Sequence, residues 1–334
     1  MKRLREYAIN IGSFPPGSLN KLSDVPGFRV GHFTLDETEP SQVLTGVTVI
    51  DIEDIIEKPL YASSYTMNGF GKPLGLSQLE ELGVIETPVA LTNTLSVGAV
   101  HEGIVRSVVK IRPDITTLNP VVLECNDSRL NNISALAIKP HHFLTALENT
   151  SSDFQLGSVG AGAGMISFGF KSGIGSSSRV VNTDDLNFTI GVLVLSNYGR
   201  KDDLFRSPFT ALPGLPEDGE GSIVILVAID LPLVPFQLKR IARHVVLALG
   251  EMGTAGYHGS GDFVLVISTL RADQGRSTVK KPFLELPAPI FNMIYRATND
   301  AVIESVLDSM LCSPATKGYR MSVEALKIED LWHK

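Results

Sequence analysis

The chain has 334 residues, of which 43% are hydrophobic and 19% charged, and its net charge is −7. This length and apolar fraction suit an ordinary globular core in one large domain or two small ones. Both signs of charge are mixed, so the chain lacks the concentrated basic face of a general nucleic-acid binder, and that function is disfavoured.

The ends and the most apolar run give no sign of a membrane or secreted protein. The first six residues are rich in charge and lead into no apolar segment of the kind a secretory signal needs. The most apolar run begins at Ser222, contains Asp230 and two prolines, and is shorter than the roughly 20 apolar residues of a membrane span. Cys125 and Cys312 lack CxxC spacing, which favours a reducing compartment. We expect a cytoplasmic protein with no membrane partner.

Strand-like and helix-like segments alternate along the chain. Apolar and β-branched runs bounded by turn formers predict strands at 43–52, 87–93, 120–125, 188–197, 222–230 and 262–269. A short helix is predicted to begin at Ser77, which would form a capping box with Glu80. Apolar residues at helical spacing predict longer helices from Pro235 to Met252 and from Ala288 to Leu311. The mixture predicts layers of sheet and helix in a single α/β domain spanning residues 1–334.

A glycine-rich segment at 157–175 does not match a nucleotide-binding loop. A Walker motif needs Gly-Lys before its Ser or Thr, but Lys171 follows Phe170. The GxGxxG dinucleotide pattern fails at Met165. We expect tight turns and close strand–helix contacts from most of these glycines.

The histidines show no metal-binding spacing. His141 and His142 are adjacent, so they point to different sides of either regular element, and no HExxH or H-x-H cluster occurs. The sequence therefore predicts neither a metal nor a cofactor.

A turn-rich, acidic stretch at 211–221 stands directly before the apolar run that begins at Ser222. Its prolines, glycines and acids predict an exposed loop that leads into a core strand. Loops of this composition are ordinarily only connections. The loop alone does not single out Ser222.

Six ordered sequence blocks, however, carry a family resemblance: residues 24–32, 86–100, 159–180, 191–200, 221–244 and 259–269. Together they resemble the L-aminopeptidase/D-alanine-esterase-amidase family, which includes the beta-peptidyl aminopeptidases. The blocks are long and spread through most of the chain, so the resemblance is far more specific than one short motif.

The resemblance implies an N-terminal-nucleophile-like hydrolase, a layered sandwich with central β-sheets flanked by α-helices. It also implies a precursor that cuts itself at the bond between Gly221 and Ser222, here called the processing bond, to give chains 1–221 and 222–334. Relatives are tetramers, so a homo-oligomer is implied. The implied substrates are peptides or amino-acid amides and esters.

The chemistry of an N-terminal serine supports this reading of Ser222. A serine hydroxyl is a weak nucleophile until a base takes its proton, and an α-amino group with a pKa near about 8 can do so at neutral pH. Cleavage would therefore create nucleophile and base together. Before cleavage the same hydroxyl can attack the Gly221 carbonyl, because glycine tolerates the backbone geometry that exposes it.

The resemblance assigns further catalytic roles. It implies that the Asn197 amide donates to the oxyanion, although an Asn that ends a strand is also an ordinary turn residue. Ser260 and Asp262 lie on one side of an extended segment and could orient the hydroxyl and amine of Ser222. His258 stands nearby, but the family uses no histidine base here, and we expect a structural or rim residue.

The resemblance implies substrate binding by one residue at the end of the apolar strand 120–125 and by the residue directly after that strand. Glu124 matches the family's acid that binds the substrate ammonium group, although an acid here could also mark the strand's exit into solvent. Asn126 occupies a position where relatives differ. The chain departs from the family at Lys72, in NGFGK, and at residues 130–132, and these departures concern substrate preference rather than the chemistry.

Two alternatives remain at this point. An acyltransferase resembling the ornithine acetyltransferases also cleaves itself, but its nucleophile is Thr, which disfavours it here. A catalytically silent member of the fold would keep the architecture without turnover, and one uncut polypeptide after purification would favour it.

Overall fold

The structure is a computed structural model that describes residues 1–39, 41–205, 220–272 and 284–331. The predicted loop at 211–221 lies outside the described residues, apart from its last two positions.

The strands confirm each of the six predicted runs. In chain order they are β1 Phe28–Glu37, β2 Val43–Ile52, β3 Leu60–Gly69, β4 Val84–Ile85, β5 Val89–Asn93, β6 Val121–Cys125, β7 Ile166–Ser167, β8 Phe170–Lys171, β9 Ile174–Asn182, β10 Asn187–Asn197, β11 Glu220–Ile229, β12 Gly259–Arg271, β13 Thr316–Lys317 and β14 Ser322–Val323. The predicted runs correspond to β2, β5, β6, β10, β11 and β12.

The α-helices are α1 Leu76–Leu82, α2 Val97–Ile111, α3 Pro140–Glu148, α4 Pro235–Val245, α5 Leu247–Glu251 and α6 Ala288–Leu311. Short 3-10 helices occur at Leu4–Tyr7, Leu22–Asp24, Ile133–Ala135, Gly160–Gly162, Lys201–Asp203 and Ile328–Leu331. Within the described ranges, no helix combines the length and apolar character that crossing a bilayer requires.

Two large sheets form the centre of the molecule. One has the strand order β1-β2-β5-β6, with β5 and β6 parallel and the other pairs antiparallel. The other has the order β4-β3-β12-β11-β10-β9, in which β11 and β12 are the parallel pair. Strand β11, which carries the processing bond, therefore lies inside the six-stranded sheet with a partner on each side.

Three apolar layers hold these sheets and helices together. The two sheets face each other across a core that includes Leu91, Leu123, Leu195, Val224 and Leu265. The outer face of the six-stranded sheet packs against α4 and α6, and the outer face of the four-stranded sheet against α2 and α3. Burying both faces of each sheet explains why its central strands are apolar almost throughout. The predicted α/β sandwich of central sheets flanked by helices is confirmed.

The helix predictions were right for α6 and partly wrong elsewhere. Helix α6 begins and ends at the predicted residues. The single helix predicted from Pro235 to Met252 is divided at Val246, where two β-branched valines adjoin and the Leu249 N–H bonds back only three residues. The capping box at Ser77 is wrong, because α1 begins at Leu76 after Gly75, and Glu80 instead accepts the Lys239 ammonium at 2.6 Å.

The glycine-rich segment provides close contacts, as expected. A Cβ at Gly175 would lie 1.8 Å from the carbonyl oxygen of Ser305 in α6. Gly160 has φ +54°, and a Cβ there would lie 2.4 Å from Thr48 Oγ1. These contacts let the segment run between the sheets and reach the end of β10 at Ser196 and Asn197.

Candidate active site

Ser222 lies near the start of β11, with its hydroxyl on the face that looks toward the four-stranded sheet. Its register partners are Asn197 in β10 and Gly261 in β12, and its side chain shares a face with Val224 of the inter-sheet core. The residue is 5% exposed. Two donors reach its Oγ: Asn197 Nδ2 at 3.2 Å and the N–H of Asn126 at 3.4 Å.

The side-chain amide of Asn197 is held at both ends. Its Oδ1 accepts the N–H of Ile166 at 3.0 Å, and its Nδ2 also donates to the carbonyl of Asn126 at 3.0 Å. A backbone N–H cannot donate to an amide nitrogen, so these bonds determine that the NH₂ end faces Ser222. Asn197 thus makes the hydrogen bonds expected of an Asn that ends a strand. The same side chain also has its NH₂ group in the donor position that the resemblance implies.

Asn126 contributes its main chain to the site. Its N–H and carbonyl contact Ser222 and Asn197, whereas its exposed side chain accepts the N–H of Ser128 at 3.0 Å. The sequence marked Asn126 as a substrate-binding residue. A backbone role of this kind leaves no signal in side-chain patterns.

Cys125 lies next to Ser222. Its buried thiol donates to the Leu195 carbonyl across a sulfur–oxygen distance of 3.6 Å and also hydrogen-bonds with Ser222. Burial raises the pKa of this thiol well above its ordinary value. Cys125 therefore stays protonated and does not compete with Ser222 as a nucleophile.

Ser260 and Asp262 share one side of β12, as predicted, and Ser260 Oγ donates to Asp262 Oδ1 at 2.6 Å. Their register partners in β11 are Gly221 and Ile223. Because side chains alternate along a strand, the pair lies on the face opposite to the Ser222 side chain. In the intact chain the pair thus borders the backbone around the processing bond rather than the Ser222 hydroxyl.

The Asp262 carboxylate is buried among donors. Burial raises its pKa above the ordinary value, while hydrogen bonds from Ser260, Asn68 and the N–H of Ile223 act in the opposite direction. The Asn68 bond is 2.8 Å long. Asp262 therefore accepts a hydrogen bond from the backbone N–H of Ile223, the residue directly after Ser222.

Glu124 is buried, being 2% exposed, so the alternative that it marks a strand's exit into solvent is wrong. Its Oε1 accepts the N–H of Lys72 at 2.8 Å, and its Oε2 accepts the hydroxyl of Thr94. A Cβ at Gly71 would come within 2.8 Å of Oε1. Thr94 was not predicted from the sequence, although it lies inside the block at 86–100.

A cavity of about 280 Å³ joins these groups. Its wall includes Thr94, Glu124, Asn126, Asn197 and Ser222. The buried carboxylate of Glu124, the Ser222 hydroxyl and its two donors therefore open into one space, which is large enough for a small amino-acid derivative.

A fully buried lysine supports the donor side of the site. Lys171 Nζ donates to the carbonyls of Gly162, Met165 and Ser172 at 3.3, 3.1 and 2.5 Å. Burial lowers its pKa to about 7, and the charge of Asp127 acts in the opposite direction. Met165 directly precedes the residue whose N–H orients Asn197, so Lys171 holds the turn that positions the amide.

Asp127 and Asn131 brace the other donor. Asn131 Nδ2 donates to Asp127 Oδ1 at 2.9 Å, and Asn131 Oδ1 accepts the N–H of Leu44 at 3.0 Å. Burial raises the pKa of Asp127 to about 7. Asn131, the middle residue of the stretch at 130–132, thus supports the loop next to Asn126.

His258 and His142 lie apart from this chemistry. His258 is exposed, and none of the hydrogen bonds described for the site involves it. His142 stacks on Phe33 with ring centroids 4.1 Å apart. Among the described residues, no group of three His, Cys, Asp or Glu side chains is arranged to hold a metal ion.

Comparison with known proteins identifies relatives along almost the whole chain. The model of peptidase family S58 matches residues 20–323. Two proteins named beta-peptidyl aminopeptidase BapA, from Sphingosinicella microcystinivorans and Sphingosinicella xenopeptidilytica, are 33% and 32% identical over 91% of this chain. The matches cover 84% and 83% of those two proteins.

Solved structures agree with this result. A beta-aminopeptidase from Burkholderia sp. matches with a TM-score of 0.90 at 32% identity, and the PH0078 protein from Pyrococcus horikoshii with 0.89 at 38%. The L-aminopeptidase D-Ala-esterase/amidase of Ochrobactrum anthropi, described as a prototype serine aminopeptidase and a variant of the Ntn hydrolase fold, matches with 0.88 at 32%. Each match covers 99% of this chain and 97% of the other.

These findings confirm the resemblance drawn from the sequence blocks and favour a hydrolase of the aminopeptidase type over an acyltransferase. The chain belongs to peptidase family S58.

Proposed function

We propose that this protein is a self-processing serine aminopeptidase that cleaves peptides, amides or esters with a free amino group. The observation that carries the proposal is the Ser222 hydroxyl, which lies 3.2 Å from an oriented Asn197 amide in a cavity shared with buried Glu124. A nucleophile, an oxyanion donor and an ammonium-binding acid are the parts such an enzyme needs.

The first step is cleavage of the processing bond. Ser222 Oγ attacks the Gly221 carbonyl carbon, the C–N bond breaks, and the Ser222 nitrogen takes a proton to become a free amine. Water then hydrolyses the resulting ester and releases the carboxylate of residue 221. A Cβ at position 221 would lie 3.1 Å from Tyr198 Cα, so glycine suits this crowded position.

Turnover uses the same groups. The new amine takes the hydroxyl proton while Oγ attacks the substrate carbonyl. The NH₂ of Asn197 and the N–H of Asn126 stabilise the negative charge that develops on the oxygen. The leaving group departs with a proton, and water hydrolyses the acyl-enzyme to free Ser222 again.

Glu124 supplies specificity for a free amine. Its carboxylate is held by the N–H of Lys72 and the hydroxyl of Thr94, neither of which carries a charge. Within the described residues no cation forms an ion pair with it. A substrate ammonium would provide that missing partner, and a charged pair of this kind is short and strong.

Intact-mass analysis of the purified protein tests the processing step. Two masses that correspond to residues 1–221 and 222–334 are expected, and N-terminal sequencing of the smaller chain should begin Ser-Ile-Val-Ile. Ser222→Ala should remain a single inactive chain. A fully active single chain would refute the mechanism.

A pair of substrates tests the aminopeptidase assignment. Alanine p-nitroanilide should be hydrolysed and its N-acetyl form should not, because acetylation removes the charge that pairs with Glu124. Equal rates on both would point to an endo-acting amidase.

By the same resemblance we propose a homo-tetramer. Light scattering coupled to size-exclusion chromatography checks this assembly. A monomeric active enzyme would contradict it.

A further inference from the structure

Asn68 contacts the Asp262 side chain from the neighbouring strand β3. The two residues are register partners in the antiparallel β3–β12 pair, and Asn68 Nδ2 donates to Asp262 Oδ2 at 2.8 Å. The register shifts directly after this pair, because Phe263 is opposite Thr66 and Met67 is the extra residue of a bulge in β3. Bulges next to active sites commonly redirect a side chain. Here the bulge accompanies an amide that donates to a buried carboxylate.

The same amide also reaches the turn that leads into β12. Its Nδ2 lies 3.4 Å from the carbonyl oxygen of Tyr257, and that carbonyl accepts the N–H of Ser260 at 3.1 Å. Ionised carboxylates and carbonyl oxygens only accept, so these two contacts determine that the NH₂ end of Asn68 faces them. Asn68 thus contacts both Asp262 and the turn before Ser260, and these two parts of the chain hold the Ser260–Asp262 pair.

The Asp262 carboxylate depends on donors from the protein. Asp262 is 3% exposed, and besides Asn68 its carboxylate accepts the Ser260 hydroxyl at 2.6 Å and the N–H of Ile223. A cavity lined by Asp262 and Gly221 has a volume of about 10 Å³, which is at the lower limit for a single water molecule. Because all three partners donate, they favour the ionised carboxylate. Removing one of them leaves a buried charge that solvent does not readily satisfy.

We infer that Asn68 is a positioning residue for the reaction, which holds the Asp262 carboxylate ionised and directed at the backbone of β11 next to Ser222. The inference rests on the proposed function, in which the amine released at Ser222 lies beside the face that carries Asp262. Asn68 is not among the described residues that line the cavity with Ser222, so it acts through Asp262 rather than through contact with substrate.

Asn68→Ala removes the amide and tests this role on alanine p-nitroanilide. Turnover is expressed per molecule cut at the processing bond, since intact mass gives that fraction. We expect kcat to fall by roughly 10-fold to 100-fold, the effect of losing one hydrogen bond to a charged group, while KM stays within about twofold. Asn149→Ala is the matched control, because it removes an amide that donates to the His32 carbonyl at 3.3 Å outside this site. The control should leave both constants unchanged, and a wild-type kcat in Asn68→Ala would overturn the inference.

Two further variants separate the hydrogen bond from the shape of the side chain. Asn68→Asp keeps the shape but, when ionised, cannot donate and repels Asp262, so its kcat should be no higher than that of Asn68→Ala. Asn68→His carries a ring Nδ1–H at the position of the amide nitrogen, so it should recover kcat severalfold over Asn68→Ala. Asn68 is only half-buried, so the larger ring can extend toward solvent. If Asn68→Asp turned over as fast as Asn68→His, the side chain would act by packing alone and the inference would be wrong.

Self-processing supplies an independent measurement. Asp262 borders the backbone around the processing bond before it is cut, so Asn68→Ala should also accumulate uncut chain, whereas Asn149→Ala should mature at the wild-type rate. Normal maturation of Asn68→Ala together with normal turnover would overturn the inference and leave the proposed function standing. Wild-type protein that stays uncut and fails to hydrolyse alanine p-nitroanilide would instead refute the proposed function, and the inference with it.

Discussion

Replacing Asn197 by Ala removes the side-chain donor to the Ser222 hydroxyl. Its Nδ2 lies 3.2 Å from Ser222 Oγ, and the N–H of Ile166 and the carbonyl of Asn126 hold the amide at 3.0 Å on either side. The donor is thus fixed before the reaction begins, and no reorganisation is needed when negative charge develops. We expect kcat to fall while KM changes little.

The expected loss is about 100-fold to 1000-fold in kcat, the usual effect of deleting one oxyanion donor. It stays below complete loss because the N–H of Asn126 remains as a second donor. Asn197→Asp is the matched control, since one oxygen can still accept the N–H of Ile166 while the other cannot donate to the oxyanion and faces the Asn126 carbonyl. Aspartate should therefore be no better than alanine, despite its similar shape.

The assay must separate turnover from maturation, because the same donor serves both in the proposed mechanism. Intact mass gives the fraction of chain cut at the processing bond, and kcat on alanine p-nitroanilide is then expressed per cut molecule. Thermal melting checks that each variant is folded, since alanine leaves two backbone groups without a partner. Turnover per cut molecule equal to wild type would remove Asn197 from the site.

Other buried groups give three further outcomes. Glu124→Gln should lose activity on free-amine substrates by a factor that corresponds to about 2 to 5 kcal/mol while still cutting the processing bond; uncut protein would mean a structural role. Lys171→Met should lower kcat by about 10-fold to 100-fold with KM nearly constant, since it loosens the turn behind the oxyanion donor; a rise in KM alone would contradict this. Burial acts to raise the pKa of Glu304, but the paired arginines hold it below the ordinary 4.5, so its stabilisation is present above that pH and is lost as pH falls through the lowered pKa. Glu304→Gln removes the carboxylate that pairs with the buried Arg179, so it should lower the free energy of unfolding by about 3 to 5 kcal/mol at pH 7. The measurement uses an uncut Ser222→Ala background, and the loss should be much smaller near about pH 3. Urea unfolding at both pH values checks this, and an equal loss at both would refute it.

The sequence predicted the architecture well because the signals that determine it are local. Apolar runs of strand length, helical periodicity and short connections determine a layered α/β fold. The break at Val246 was not predicted because the apolar residues keep their helical spacing through it. The backbone hydrogen bonds change there, since the Leu249 N–H bonds back only three residues. The error at Ser77 arose because the acid expected to cap the helix pairs with Lys239, which is distant in sequence and invisible to a local pattern.

The site was predictable only where side-chain identity carries the signal. The family resemblance proposed Ser222, Asn197 and Glu124 as site residues, and the structure brings all three to one cavity. The backbone donor at Asn126 could not be found in this way, since any residue has an N–H. The position of Lys171 was not predicted either, because its ammonium donates to three carbonyls that the fold, rather than the sequence spacing, brings together.

Cleavage of the processing bond would leave Ser222 in place, and the reason lies in its position within the sheet. Ser222 pairs with Asn197 on one side and Gly261 on the other, and both ladders continue to Ile229. A central strand cannot swing away without breaking hydrogen bonds to both neighbours, so the new amine stays beside the face that carries Asp262 while the hydroxyl stays beside Asn197. The proposed mechanism therefore needs no refolding between maturation and turnover.

The shared geometry makes a discriminating comparison possible. A donor that serves both reactions should slow both when it is removed, so Asn197→Ala should accumulate uncut chain as well as lose turnover. An acid that binds only the substrate amine should affect turnover alone, because self-processing involves no free ammonium group, and Glu124→Gln should therefore mature at the wild-type rate. Time courses of the uncut fraction after synthesis measure this difference directly. If both variants matured normally, cutting and turnover would not share the oxyanion donor, and the single-site mechanism would be wrong.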